Sequence, residues 1–385
     1  MKRSTDRILT THAGALSELP GVDRSAPDYL TRLPSHVKAI VQHQAALGVD
    51  VLDDGEYSKG NWLMYAIERL GGFEPRPAAL DQLVISQGKD RRDFAEFYAE
   101  ATRSGTLFHS SWTPPGTVPT PKVWACVQPI RYIGHAMVAR DITNLKAALT
   151  GVAHADAFLP VTAPSSLEPY RENAYYKTEE EFVYALAEAL REEYEAIAKS
   201  GLLVQVDDAW TPALWDRIGI DMGMVAFKKR CMLRIEALNH ALRNIPIEQI
   251  RYHICWGSWH GPHASDLPMK DAVDLMLAVK AQAYSFEAAN VRHEHEYHVW
   301  EHVKLPEGKI LLPGVVTHST NLIEHPELVS ERIQRFARLV GRENVIASSD
   351  CGFGGRIHAQ LAWAKLQALS DGAKLASKAL GFRGV

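Results

Sequence analysis

The stretch RYHICWGSWHG, residues 251–261, runs as an apolar, β-like segment that breaks at a glycine and carries polar groups near its C-terminal end. In a strand, positions i and i+2 project from one face, so the imidazole of His253 and the sulfur of Cys255 point the same way. A nitrogen and a sulfur that converge on one point make half of a metal site.

Outward from this strand the chain alternates short apolar runs with amphipathic helical stretches. RILTTHAG (7–14) leads to a helix over about 35–47 and to the strand VDVLDDGE (49–56). The alternation resumes at ADAFLPVTAP (155–164), a charged helix over 178–199 and GLLVQVDDAW (201–210). It continues with a helix over 223–243, IRYHICWG (250–257), a helix over 269–281, AYSFEAAN (283–290), KILLPGVV (309–316), a helix over 327–340 and NVIASSDCG (344–352). Eight strand candidates mostly separated by helices predict an α/β protein, a parallel sheet closed as a (β/α)8 TIM barrel. The rhythm fails over about 57–149, where aromatics, prolines and polar residues predict an insertion after the second strand, with 108–134 resembling a hairpin excursion. An open doubly wound sheet is the alternative, but no strand leads into a GxGxxG turn or a phosphate loop. Nothing in the text forces a domain cut, so residues 1–385 are expected to form a single catalytic barrel domain carrying this inserted excursion.

A formal net charge of −4 gives no basic footprint for phosphates and argues against nucleic acid as a partner. MKRSTDRILTTHAG lacks an apolar h-region, and no run approaches the length of a spanning helix, so no membrane association and a cytoplasmic location are expected. The four cysteines, Cys126, Cys231, Cys255 and Cys351, are too few for a disulfide scaffold of this size and are expected to remain thiols.

In a barrel, the C-terminal strand ends form the functional rim. Here they are polar: His12; Asp53, Asp54 and Glu56; Asp207 and Asp208; His253 and Cys255; Glu287 and Asn290; His318; Asp350 and Cys351. His253, Cys255, Glu287 and Cys351 together offer a tetrahedral N, S, O, S set suited to zinc. A lone HxC is also compatible with ordinary core packing, and that plain reading is preferred for Cys126 and for Cys231, which sits at a helical position beside Met232 and Leu233.

RILTTHAG, VDVLDDGE, LLVQVDDAW, HIC, SFEAANVRHEHEY and VIASSDCGFGG, in this order and over nearly the whole chain, resemble the C-terminal catalytic barrel of cobalamin-independent methionine synthase and its shorter relatives, including epoxyalkane:coenzyme M transferase. The resemblance implies a zinc ion on His253, Cys255, Glu287 and Cys351. It also implies transfer of a methyl or other alkyl group onto a zinc-activated thiol, with 5-methyltetrahydrofolate/homocysteine type chemistry or an epoxyalkane:coenzyme M transferase-like thiol alkylation. Small-molecule thiol and alkyl donor would be the partners. His318, in GVVTHST, resembles the acid histidine of the synthases with a one-residue offset; a histidine merely hydrogen-bonded at the rim is the alternative. His12, Glu56 and Asp207 are substrate-binding candidates, the two acids suiting an ammonium. The chain departs from the family at the first strand, which ends Ala13-Gly14-Ala15 rather than Ile-Gly-Ser, and at Asp207-Asp208-Ala209, where the family reads Asp-Glu-Pro. The serine hydroxyl that would help grip an amino-acid thiol is absent, and a second barrel does not fit in this length.

Two further patterns bear on function. HVWEH (298–302) matches H-x-x-E-H, the zinc peptidase arrangement with His298, Glu301 and His302 on one helix, although a solvated helical face explains it as well. Arg292 and Arg356, shortly after Glu287 and Cys351, suit a carboxylate, sulfonate or phosphate on a substrate, or plain surface roles.

Overall fold

The computed structural model describes residues 1–60, 65–78, 83–107 and 122–382. Its strands are β1 (Leu9–Thr10), β2 (Val51–Leu52), β3 (Leu70–Pro77), β4 (Lys122–Tyr132), β5 (Asp156–Thr162), β6 (Arg171–Asn173), β7 (Leu203–Asp208), β8 (Ile250–Ile254), β9 (Ala283–Phe286), β10 (Ile310–Val316) and β11 (Ile346–Ser349). Eight of them make one parallel sheet in the order β1-β11-β10-β9-β8-β7-β5-β2. The two end strands are bridged by Asp50 N–H to the Thr10 carbonyl at 3.1 Å and by Thr11 Oγ1 to the Val51 carbonyl at 3.2 Å. This is the expected TIM barrel, with every strand directed toward one rim.

The strand period of two decides what fills the barrel. Leu9, Ala283, Ile310, Leu312 and Ile346 pack as one buried group, and Val51, Phe158 and Leu203 as another, both separate from the larger core under the helices. Arg251 is fully buried, its guanidinium 3.8 Å from the centre of the Phe158 ring, and donates to Thr11 Oγ1 and the His12 carbonyl, both at 3.0 Å. It therefore ties β8 to the end of β1 across the barrel. Two residues further along β8 comes His253, so one strand supplies a cross-tie below and a predicted ligand above.

The outer helices form where apolar positions recur at the helical period. Glu179–Lys199 buries Phe182, Val183, Leu186, Leu190, Tyr194 and Ile197, and starts at Thr178, whose hydroxyl accepts from Glu181 N–H at 3.1 Å. The first helix spans Tyr29–Ala46, beginning six residues before its predicted start and running through Pro34. Proline removes one backbone hydrogen bond, but Leu33, Val37, Ile40, Val41 and Gln44 are buried on both sides of it, and that packing outweighs the local cost.

The excursion differs from its predicted bounds. His135–Leu149 is a helix packed against Tyr29–Ala46 and Glu179–Lys199, so it is a barrel crossover and the excursion ends near Gly134. The buried series Val138, Asp141, Leu145 and Ala148 carries the helical period, but Asp141 interrupts its apolar pattern. Residues 108–121 of the predicted hairpin lie outside the described residues; from Lys122 on, β4 pairs antiparallel with β3 and parallel with β6. The helix Ala95–Ser104 and its neighbours lean on the loop after β8. Trp259 Nε1 donates to Tyr98 Oη at 3.2 Å, His260 N–H to the Leu107 carbonyl at 2.7 Å and Ala264 N–H to Asp90 at 3.0 Å.

Near the rim, Gly314 of β10 meets Asp350 so closely that an added Cβ would lie 2.0 Å from Oδ1 and 2.6 Å from Cα of that residue. Gly314→Ala is expected to cost about 2 kcal/mol or more, because the obstacle includes backbone rather than a flexible side-chain tip. Urea unfolding monitored by circular dichroism measures it.

Candidate metal centre

At the C-terminal ends of β8 and β11, His253 within the β8 ladder and Cys255 and Cys351 just past the two strands come together, with their ligating atoms all within 4.8 Å of one another. The two sulfurs stand 3.8 Å apart. That is far beyond a disulfide bond at ~2.05 Å, and it matches the roughly 3.8 Å separation of two sulfurs each ~2.3 Å from one tetrahedral ion. His253 Nδ1 is engaged by Ser285 Oγ at 3.0 Å, whereas its buried Nε2 has no hydrogen-bond partner among the described residues. An orphaned buried nitrogen beside two thiols fits the donor set of a metal ion, since an unsatisfied polar atom is otherwise costly to bury.

The sulfurs are themselves positioned. Gly257 N–H donates to Cys255 Sγ at 3.2 Å, and Ser258 Oγ lies 3.6 Å from Cys255 Sγ and 3.5 Å from Cys351 Sγ. Gly257 has φ +88°, and a Cβ there would collide with the Trp259 ring, so the turn that delivers this N–H requires glycine. The contact between the sulfurs holds the Cys351 thiol well below its ordinary pKa and pushes Cys255 well above, as expected of two thiols sharing one proton.

Glu287, the fourth predicted ligand, stands outside this close cluster. Its Oε1 accepts Trp256 N–H at 3.0 Å and its Oε2 the Asn290 amide at 2.6 Å, while burial raises its pKa to about 7. His318 is buried near the cluster, close enough for the charges of Cys351, His253, His263 and Arg356 to act on it. Burial lowers its pKa to about 4, and its Nδ1 has no hydrogen-bond partner among the described residues.

The acidic candidates adjoin the cluster, Asp207 as the ladder partner of His253. Glu56 adopts φ +57°, strained for a non-glycine residue, and its Oε1 accepts Ala15 N–H at 2.9 Å. Asp207 accepts the Gln205 amide at 2.9 Å, feels the charge of Glu56, and is raised to about 8 chiefly by burial. His12 lies just past the end of β1. It is fully buried, its Nε2 lies 2.9 Å from Gln44 Oε1 and its Nδ1 accepts Gly14 N–H at 3.2 Å, so both nitrogens are engaged in bracing the rim.

Sequence reading passed over a second histidine network. His263 (φ +53°) stacks on Trp259, with Nδ1 3.0 Å from an Asp266 oxygen and Nε2 3.1 Å from the Trp259 carbonyl. His293 lies between Glu296 at 2.7 Å and Asp266 at 3.2 Å, its ring against Trp256. Each ring faces acceptors on both nitrogens, a pattern that only the doubly protonated imidazolium satisfies. Burial opposes the charge of His293, but Asp266 and Glu296 win and raise its pKa to about 10. The i, i+3 spacings of His263 with Asp266 and His293 with Glu296 are the only sequence signal of this network.

The remaining predicted residues fall elsewhere. Cys126 is buried in the β3–β4 sheet, and Cys231 is buried in the helix Met224–Ala241, its thiol pushed up to about 12 by burial. HVWEH lies at the end of a 3-10 helix, Glu294–Glu301, rather than on an α-helix, and His298 is largely exposed and bound to Glu301 at 2.7 Å. At about three residues per turn, His298 and His302 do not share a face, which removes the geometric basis of the peptidase reading. A cavity of about 510 Å³ lies at the opposite end of the barrel, lined by Arg7, Asp50, His154 and Lys374, away from the thiols. Among the described residues, no helix is long and apolar enough to cross a membrane.

The family model described as cobalamin-independent synthase, catalytic domain, matches residues 169–375. A methionine synthase of Saccharolobus solfataricus is 23% identical over 352 residues, covering 90% of this chain and 85% of that protein. Another from Thermococcus kodakarensis is 23% identical over 227 residues, 59% of each chain. In fold, the chain is similar to a B12-independent methionine synthase from Shewanella sp. W3-18-1, solved with selenomethionine, at TM-score 0.69 and 18% identity, covering 97% of this chain and 99% of that one. A putative vitamin-B12 independent methionine synthase from Listeria monocytogenes gives TM-score 0.65 at 18% identity, covering 96% and 98%.

His253→Ala, Cys255→Ser and Cys351→Ser are each expected to release most of the bound metal, whereas Cys126→Ser, Cys231→Ser, His298→Ala and His302→Ala retain it; metal analysis of purified protein decides. The histidine network makes a second test. A raised histidine pKa adds stability that is complete below the unfolded value of ~6.5 and drains as pH climbs through the folded value, about 10 for His293. The melting temperature of metal-stripped protein should therefore fall toward that of His293→Gln between those limits, and parallel curves would contradict it.

Proposed function

The chain belongs to the family of cobalamin-independent synthase catalytic domains and is a methyltransferase of the methionine-synthase type, and we propose that it methylates the sulfur of a small thiol at His253, Cys255, Cys351 and Glu287. The single observation that carries this reading is the pair of sulfurs 3.8 Å apart beside the unpartnered Nε2 of His253. One nitrogen, two sulfurs and a carboxylate suit zinc, which when bound supplies the positive charge that keeps an acceptor thiol ionised at neutral pH.

The chain's own residues do the rest. Ser285 engages Nδ1 of His253 and so directs Nε2 toward the sulfurs; Gly257 N–H and the Ser258 hydroxyl steady the sulfurs. Asn290 and Trp256 hold the Glu287 carboxylate at the edge of the cluster until it is needed as a ligand. Glu56 and Asp207 receive an ammonium group on the acceptor. A cation arriving there restores the charged form of Asp207 that burial disfavours. His12 stiffens the rim beneath them. As the sulfur takes the methyl carbon, the donor's heteroatom leaves with the bonding electron pair and needs a proton, and His318 is the group placed to pass it. Burial keeps that imidazole neutral at pH 7, so it serves as a relay for a proton entering with the donor rather than as a store.

With 5-methyltetrahydrofolate as donor, Glu56→Gln and Asp207→Asn are each expected to raise KM for homocysteine about 10- to 100-fold, the scale of one charged hydrogen bond, with zinc content unchanged. KM for a thiol of the same length lacking the amino group should stay put. Equal increases for both thiols in steady-state kinetics would show that the acids do not read the ammonium.

A further inference from the structure

The rim offers an acidic side for a cation, but the backbone donors at the end of β1 are already spent. Ala13 N–H donates to Ser349 Oγ at 3.1 Å, Gly14 N–H to His12 Nδ1 at 3.2 Å and Ala15 N–H to Glu56 at 2.9 Å. The Ala15 carbonyl meanwhile accepts from Phe353 and Gly354, drawing the loop after Cys351 against it. That loop carries Arg356. Its Nη1 donates to the Ser258 carbonyl at 2.6 Å, and Ser258 is the residue whose hydroxyl lies within 3.6 Å of both sulfurs. Among the described residues its other guanidinium donors have no partner and no carboxylate pairs with it, although its charge reaches His318. Lys59, the cation on the acidic side, is by contrast committed to the Pro160 carbonyl and the Tyr65 ring.

We propose that Arg356 receives the anionic group, a carboxylate or sulfonate, of the incoming thiol, so that the site selects thiols carrying a negative charge a few bonds from sulfur. The inference rests on the thiol-methylating reading of the site above. Arg356 fits the role because the Ser258 carbonyl occupies one arm and aims the remaining planar donors, an arrangement suited to bidentate recognition of an anion. The thiol is the partner assigned, rather than the methyl donor, because Arg356 is one residue's reach from the sulfur pair.

The test uses the full chain loaded with Co(II), whose thiolate absorption reports thiol binding without turnover. It is titrated with 3-mercaptopropionate, 3-mercaptopropanol and cysteamine. Wild type should bind 3-mercaptopropionate tightest. Arg356→Gln should weaken that thiol about 10-fold or more, leave the other two within about twofold, and keep its cobalt; Arg356→Lys should fall between. Arg292→Gln, which removes a cation whose guanidinium bonds to the Ala264 carbonyl, should leave the order intact. Equal weakening of all three thiols, no weakening, or the same loss in Arg292→Gln overturns the proposal. If Arg356→Gln fails to fold, wild type decides. High salt must weaken 3-mercaptopropionate and leave 3-mercaptopropanol unchanged, and equal affinity for the acid and the alcohol overturns the assignment. Absence of any thiol-induced spectral change in cobalt-loaded wild type would instead sink the thiol site itself.

Discussion

The carboxylate of Asp350 accepts the amide N–H groups of Ala288 and Ala289 at 2.7 and 2.8 Å and the Asn290 side chain at 3.3 Å, all from the loop after β9. It fits there because Gly314 of β10 presents no Cβ. One buried acid therefore joins the ends of three adjacent strands, at the position immediately before Cys351. Asn290, held by Asp350, in turn holds Glu287. Two of the four proposed ligands thus take their places from a residue that touches no ligand atom itself. Burial raises the pKa of Asp350, and the two amide donors oppose that rise by stabilising its charge. The joint is a polar one in a setting where an unsatisfied carboxylate would be costly, so its partners are as constrained as it is.

A second organising feature is the separation of charge around the rim. Glu56 is bonded to the end of β1, and Asp207 lies near the end of β7, beside His253. Arg356 and the imidazolium pair built on Asp266 lie on the side of the β8 and β9 loops. The sulfurs stand beside the latter group, with Ser258, whose carbonyl holds Arg356, within 3.6 Å of both. A substrate with a cation and an anion on either side of a sulfur would meet complementary charge at both ends, which is a matter of recognition as much as of catalysis. Strain is concentrated in the same region: Glu56 and His263 are the non-glycine residues with positive φ among those described. Each is pinned by its own hydrogen bonds, the usual circumstance in which such backbone persists.

The excursion contributes a wall. Asp90, Tyr98 and Leu107 bind the loop 256–266 from outside, and Arg217 stacks on Trp259 at 4.1 Å from beneath the same loop. The loop bearing Ser258 and His263 is thereby clamped between barrel and insertion, and the geometry around Cys255 depends on residues more than a hundred positions away in the chain.

Much of the architecture was legible in the sequence because it follows from local periodicity. Alternating apolar runs and amphipathic stretches specify strands and helices, and the period of two within a strand places His253 and Cys255 on one side whatever the rest of the chain does. The polar strand ends then identified the rim, and with it Cys351 and Glu287. Tertiary packing decided what periodicity does not encode. Burial of a stripe on either side of Pro34 extended the first helix, and the neighbours of His135–Leu149 turned an apparent part of the insertion into a crossover. The 3-10 winding of Glu294–Glu301 separated His298 from His302. Ser258, Ser285, Arg356 and the His263–Asp266–His293 network came together only through the folded loops. Which strands are neighbours, and how their loops cross, depends on contacts distant in sequence, so no spacing rule along the chain could reveal them.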